Sequence, residues 1–247
     1  SQEVAEDGQL CFQERGAGTE VATFTGDPYE GRFTGNIIDL CPVGALTSIP
    51  YRFVSRPWDI QNAPSVCGLC PVGCNTELTM REGELKRVTG RDEPNLAVEE
   101  GWLCDKGRWG YPAAWSQDRI VRPLVRGEDG VFVETSLEAA VDAAAKILTR
   151  SAAPGVLVGA DATVEEGFVA AQLAAVLPYG RVGRLGFPAV AALDALRALP
   201  GAELGDLDGA GAVAVVGGDV CNQHPIVELR LRKVARRRVA LAVVGPR

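Results

Sequence analysis

Long apolar runs are missing from this 247-residue chain, so nothing in it reads as a membrane-spanning helix. No basic start leads into an apolar core, so no secretory signal is visible. Positive charge is in deficit: 25 Lys and Arg against 32 Asp and Glu leave a net charge of −7. That balance argues against a nucleic-acid surface and is ordinary for a soluble intracellular protein. Histidine is nearly absent. The single one, His224, has no partner histidine for metal ligation or proton transfer and reads as a residue leading into a helix at Pro225. No short-period repeat or low-complexity segment occurs. What remains, 47% of it hydrophobic, suffices for one large domain or two modest ones.

Cysteine is the informative presence. Seven cysteines without an export signal favour metal binding over a disulfide framework. Four form one pattern: Cys67, Cys70 and Cys74 in "SVCGLCPVGCN", then Cys104 in "GWLCDKGRWG", a C-x2-C-x3-C-x29-C spacing. Zinc sites usually gather cysteines as two separated pairs. A 4Fe-4S cubane is bulkier: one loop can grip three corners, and the fourth must be reached from elsewhere. Three together and one remote fits the cubane, while a four-thiolate zinc site and four reduced core cysteines stay open as alternatives. Gly68 and Gly73 let the backbone approach sulfur, and Pro71 stiffens the loop. Lys106 and Arg108, just past Cys104, bring positive charge that would favour a reduced cluster.

Three regions differ in texture. Residues 1–50 are Gly-rich and acidic. Residues 51–117 hold the four-cysteine set, and within them "TELTMREGELKRVTG" predicts a hairpin turning at Glu82-Gly83. Residues 118–247 turn to Ala, Val and Leu. There "SLEAAVDAAAKILTR" predicts a helix capped by Ser136, "GVLVGA" a buried strand, and "TVEEGFVAAQLAAVL" a helix with a Thr163–Glu166 capping box. "AVAALDALRAL" predicts another helix. The clearest unit is strand "AVAVVGG", helix "PIVELRLRKVARRR" and buried strand "VALAVV". Alternating strands and helices predict an α/β protein: a small irregular or β domain, then a doubly wound parallel α/β domain. The basic residues Arg230, Arg232, Lys233, Arg236, Arg237 and Arg238 alternate with apolar ones on one helix and read as a solvated face. Both ends look cut, which makes the chain read as a fragment.

With these residues in view, "CGLCPVGC", the hairpin and "GWLCDKGRWGY" resemble the iron-sulfur domain that opens molybdopterin-dependent oxidoreductases. "FTGNIIDLCPVGALT" upstream resembles the large iron-sulfur subunit family of bacterial NADH-quinone oxidoreductase, respiratory complex I. This resemblance implies that residues 1–50 are the remnant of a ferredoxin-like domain. Cys41 would be the remote fourth ligand of a second 4Fe-4S cluster whose other three ligands are not in the chain, and a 2Fe-2S cluster would belong to the full-length protein. It implies electron transfer from NADH to quinone coupled to proton translocation, other complex I subunits as partners, among them the one binding NADH and flavin, and a peripheral place on the cytoplasmic side of the inner membrane. No direct membrane insertion, nucleic acid or substrate turnover by the fragment alone is expected.

The rival within the resemblance is the catalytic subunit of a molybdopterin enzyme such as a formate dehydrogenase. "GGDVCNQHP" is similar to a loop that contacts the pterin nucleotide, but Asp219 stands where that pattern has asparagine, and a carboxylate would repel a pyrophosphate. No molybdopterin is therefore expected. Lys106 becomes a residue that tunes the cluster, and Cys221 a plain loop residue. Cys11 matches no ligand position and reads as a small packing side chain.

Overall fold

The computed structural model describes residues 1–91, 98–159, 162–184 and 199–245. The chain divides into two compact units, residues 1–115 with 201–247, and residues 116–200. The last textural region is thus shared between both units.

In the first unit β1 (Leu10–Gln13) and β2 (Glu20–Thr23) pair antiparallel, and α1 (Asn36–Leu40) follows. An antiparallel sheet of β3 (Gln61–Val66), β4 (Asn75–Arg81) and β5 (Glu84–Gly90) runs in that order. The β4–β5 hairpin turns on Glu82 and Gly83 with φ of 53° and 80°, so both central residues are left-handed, as a two-residue type I′ turn requires. The predicted hairpin is borne out. The five-residue helix α2 (Asp105–Trp109) comes next.

The same unit ends with β10 (Ala212–Val216), the short α5 (Val220–Gln223), α6 (Pro225–Arg236) and β11 (Ala240–Val244), with β10 and β11 parallel. Pro225 opens α6 as predicted, where its missing N–H costs nothing. The core joins Phe33, Cys74, Val88, Leu103, Cys104 and Ile226, so α6 closes over the same residues that carry two of the four cysteines.

The second unit pairs β6 (Leu124–Arg126) antiparallel with β7 (Phe132–Glu134). After α3 (Leu137–Arg150), β8 (Gly155–Val158), α4 (Val164–Val176) and β9 (Arg181–Arg184) form a parallel βαβ unit. The predicted caps are in place. Ser136 Oγ accepts from Ala139 N–H at 3.2 Å. Thr163 Oγ1 accepts from Glu166 N–H at 3.2 Å, while the Glu166 carboxylate accepts from Thr163 N–H at 2.8 Å. The helix expected in "AVAALDALRAL" falls on residues 189–199, all but the last outside the described residues.

The α/β class holds, with two corrections. Two strands expected to be buried are not: β11 is exposed at every residue, and β8 alternates between exposed and half-buried. Each belongs to a two-stranded sheet, too narrow to be covered on both faces. Nor is the basic side of α6 wholly a solvated face: Arg236, Arg237 and Arg238 are exposed as expected, but Arg230, Arg232 and Lys233 are not. Arg230 is 3% exposed and pairs with Glu100 at 2.6 Å and Asp208 at 3.1 Å. Lys233 reaches the same two carboxylates, and Arg232 and Arg236 both reach Glu6. Acidic residues far away in sequence meet this helix, and Arg232 also pairs with Glu228 one turn back at 2.6 Å, so the charges of its middle turns serve to dock it.

Candidate metal centre

The three close cysteines lie on the loop between β3 and β4. The last ladder pair is Val66 with Asn75, and the Cys67 N–H then donates to Cys74 C=O at 2.8 Å, pinching the loop shut at its base. Inside it Gly73, at φ 64°, donates its N–H toward Cys70 C=O at 3.4 Å. A side chain there would be strained by the left-handed backbone, and the tight bend needs that conformation.

Cys104 arrives from the other direction as the N-cap of α2. Its Sγ accepts from the Gly107 N–H at 3.4 Å. A Cβ built on Gly107 would stand 3.4 Å from Cys67 Sγ and 2.9 Å from Leu103 Cδ1. A side chain there would press on the fully buried Leu103 and touch Cys67, so Gly107 helps the remote cysteine come close to the loop. Sequence reasoning missed this role, although the glycine of "CDKG" was there to be read.

The four thiols converge. Burial pushes the Cys74 thiol far up, and Cys67, Glu99, Cys104 and Cys70 add to the rise. Cys104 is raised by burial too, against the Gly107 N–H that lowers it, with Cys67, Cys70 and Asp105 adding repulsion. Cys74 and Cys104 are 2% and 5% exposed. Cys74 and Cys104 are thus enclosed, while Cys67 and Cys70 on the loop stay half-buried. A bound metal group would favour the thiolate form of such a donor set. Among the described residues no three His, Cys, Asp or Glu side chains are close enough to hold a single ion.

The ligand-bearing elements are tied to α1. Asp105 accepts from Thr34 N–H at 2.8 Å, Thr34 Oγ1 at 2.6 Å and Gly35 N–H at 2.9 Å. Asn36, buried, donates to Leu103 C=O at 2.8 Å and accepts from Leu103 N–H at 3.1 Å. Arg108, 5% exposed, pairs with Asp39 at 2.6 Å. The structure therefore places the Arg108 charge on α1, and Lys106 on the exposed side of α2.

Cys41 stands apart, as the C-cap of α1. Its thiol is lowered, chiefly by hydrogen bonds from the Leu46 backbone and then from Ala45, Val43 and Gly44. A ring of amides of this kind stabilises a thiolate. Cys11 Sγ donates to Ala22 C=O at 3.5 Å within the β1–β2 hairpin. Cys221 is raised by burial, and Asp219 is held ionised by the Asn222 side chain and N–H. An ionised carboxylate at that loop is a poor fit to a pterin pyrophosphate.

Three family models match successive parts of the chain. Residues 1–47 match the ferredoxin-like domain of NADH-quinone oxidoreductase subunit 3, and residues 60–113 the molybdopterin oxidoreductase Fe4S4 domain. The G subunit of the Mycobacterium tuberculosis NADH-quinone oxidoreductase is 39% identical over all of this chain and 32% of its own length. Subunit 3 of the Thermus thermophilus enzyme is 40% identical over 95% of this chain and 29% of its own length. The alpha subunit of the Geobacter sulfurreducens NADPH-Fe(3+) oxidoreductase is 33% identical over 94% of this chain and 28% of its own. The chain thus spans about a third of the length of these curated relatives, and its resemblance to the large iron-sulfur subunit is borne out. Residues 119–247, more than half of the chain, match the molybdopterin oxidoreductase model, and the chain belongs to the molybdopterin oxidoreductase family.

Proposed function

We propose that this chain carries a 4Fe-4S cluster on Cys67, Cys70, Cys74 and Cys104 and conducts electrons within an NADH-quinone oxidoreductase, from NADH towards quinone. One observation carries the reading: three thiols of one pinched loop meet a fourth delivered by the N-cap of α2, two of them buried. When bound, such a cluster takes up and gives back one electron at a time. The chain's own residues provide the holding. The Gly107 N–H bonds Cys104 sulfur, Leu103 and Ile226 exclude water, and the Asp105, Asn36 and Arg108 bonds fix the approach of α2. Lys106 is the positive charge we assign to tuning. Arg108, already paired with Asp39, serves there more by holding α1 than by its net charge.

The rest of the reading rests on the relatives. Cys41 is the fourth ligand of a second 4Fe-4S cluster, completed by cysteines outside this sequence, and a 2Fe-2S cluster belongs to the whole subunit. The regions 1–50, 51–117 and 118–247 are the ferredoxin-like remnant, the cluster domain and part of a doubly wound α/β domain. Partners are the other subunits, including the one that binds NADH and flavin. Its place is peripheral, on the cytoplasmic side of the membrane, as part of a proton translocase; among the described residues no helix is long and apolar enough to cross a bilayer. Molybdopterin is not expected, for the Asp219 carboxylate opposes it.

Anaerobic reconstitution followed by iron, zinc and molybdenum analysis tests this. About four irons per chain without molybdenum is the expected result for one cubane. One zinc would make the chain a structural scaffold, and a pterin with molybdenum would make it part of a catalytic subunit.

A further inference from the structure

Sequence reasoning attended to the positive charges near Cys104. The structure draws attention instead to a negative one that it passed over. Glu99 is 1% exposed, among the most buried side chains of the chain. Both carboxylate oxygens accept from Asn75 Nδ2 at 3.2 Å, and Asn75 directly follows Cys74 at the foot of the three-cysteine loop. Among the described residues Glu99 joins no ion pair, so a neutral amide is what it leans on. Its charge is one of those felt at Cys74, together with the other three cysteines. Asp105, the other acid near the site, spends its oxygens on Thr34 and Gly35.

Position decides which charge matters. Lys106 is exposed, where water and salt screen it. Arg108 is neutralised by Asp39 at 2.6 Å. Glu99 is enclosed, and at equal distance a charge acts about four times more strongly through an effective dielectric near 20 than through water. Adding an electron to a group already held by four thiolates is opposed by any fixed negative charge close by.

We propose that Glu99 is the dominant electrostatic control of the four-cysteine site, holding its reduction potential low. The inference rests on the iron-sulfur reading of that site and adds a residue and a sign to it. Asn75 acts as a positioning residue: its amide holds the carboxylate at the loop and takes up part of its field.

The experiment is a dithionite titration of the anaerobically reconstituted full chain, with the reduced signal followed by EPR and iron counted beforehand. Glu99→Gln keeps the shape and one acceptor for Asn75. With iron retained, its one-electron reduction becomes about tenfold more favourable, a positive shift of about 59 mV, while Lys106→Gln moves the midpoint far less and in the opposite direction. An unchanged midpoint in Glu99→Gln overturns the proposal and leaves the iron site standing. Absence of iron from the unsubstituted chain overturns both. If Glu99→Gln loses iron, Asn75→Ala decides: with the amide gone the carboxylate is less compensated and the midpoint moves negative, and an unmoved midpoint overturns the proposal.

Discussion

In residues 1–115 with 201–247, side chains bond across the sequence. Asn36 meets Leu103 over 67 residues, Arg108 meets Asp39 over 69, and Arg236 meets Glu6 over 230. Among the described residues of 116–200 the side-chain bonds are local: Ser136 caps three residues on, Thr163 and Glu166 bond each other, and Arg122 reaches Glu134 only 12 residues away. The first unit has short irregular elements clamped by distant partners around cysteines. The second has longer regular elements capped at their own ends, and among its described residues only Pro154 and Ala174 are buried. A site that must hold four sulfurs in a fixed arrangement needs the first kind of construction. Local caps alone fix helix ends and cannot fix the distance between a loop and a helix far along the chain.

Breaking the clamped unit at a ligand has the largest effect. Cys70→Ser abolishes the broad visible absorption and the reduced-state EPR signal, whereas Cys221→Ser keeps both; spectra of the two reconstituted variants check this. Next comes the packing over the site. Ile226 is 2% exposed in the core shared with Cys74 and Cys104, and Ile226→Ala costs about 2–5 kcal/mol in urea denaturation followed by tryptophan fluorescence. Asn36→Ala leaves the buried Leu103 N–H and C=O without their partner, a loss of about 2–4 kcal/mol, read in the same assay. In the other unit Thr163→Ala removes one cap for about 1 kcal/mol. Faster hydrogen exchange confined to the first turn of α4 is the expected readout, with the iron signal untouched.

The smallest effect concerns the docking of α6. Asp208 sits below its ordinary value of 3.8, mainly through the Lys233 hydrogen bond. Lys233 sits above its ordinary 10.5, through Glu100 and then Asp208. A lowered acid gives stability that is present above its unfolded value and lost as pH falls through the folded one. A raised lysine gives stability that is full below 10.5 and lost as pH rises through its folded value. Thermal stability should therefore decline at both extremes, and Asp208→Asn should flatten part of the acid decline while leaving the range around neutrality nearly level.

The same contrast explains what could be read from residues alone. Caps and the Glu82-Gly83 turn were legible because their partners lie within three or four positions. The four-cysteine set was legible because cluster geometry imposes a spacing. Strand β3 was not: "QNAPSV" carries no alternation and contains Pro64, tolerated because β3 is an edge strand of its sheet. Nor could the partners of Asn36, Asp105 and Arg108 be read, since nothing local marks a bond made across 67 to 71 residues. Arg230 and Lys233 on α6 looked solvated for the same reason: their carboxylates come from Glu100 and Asp208. Glu99 lies in a stretch without a motif, and only its burial beside Cys74 marks it.

X-ray absorption at the iron and zinc edges of the anaerobically reconstituted chain tests the central claim most directly. The account predicts iron with an all-sulfur shell and clear iron–iron scattering, lost in Cys104→Ser. A lone zinc with four sulfurs at about 2.3 Å, or iron–iron scattering unaffected by Cys104→Ser, would contradict it.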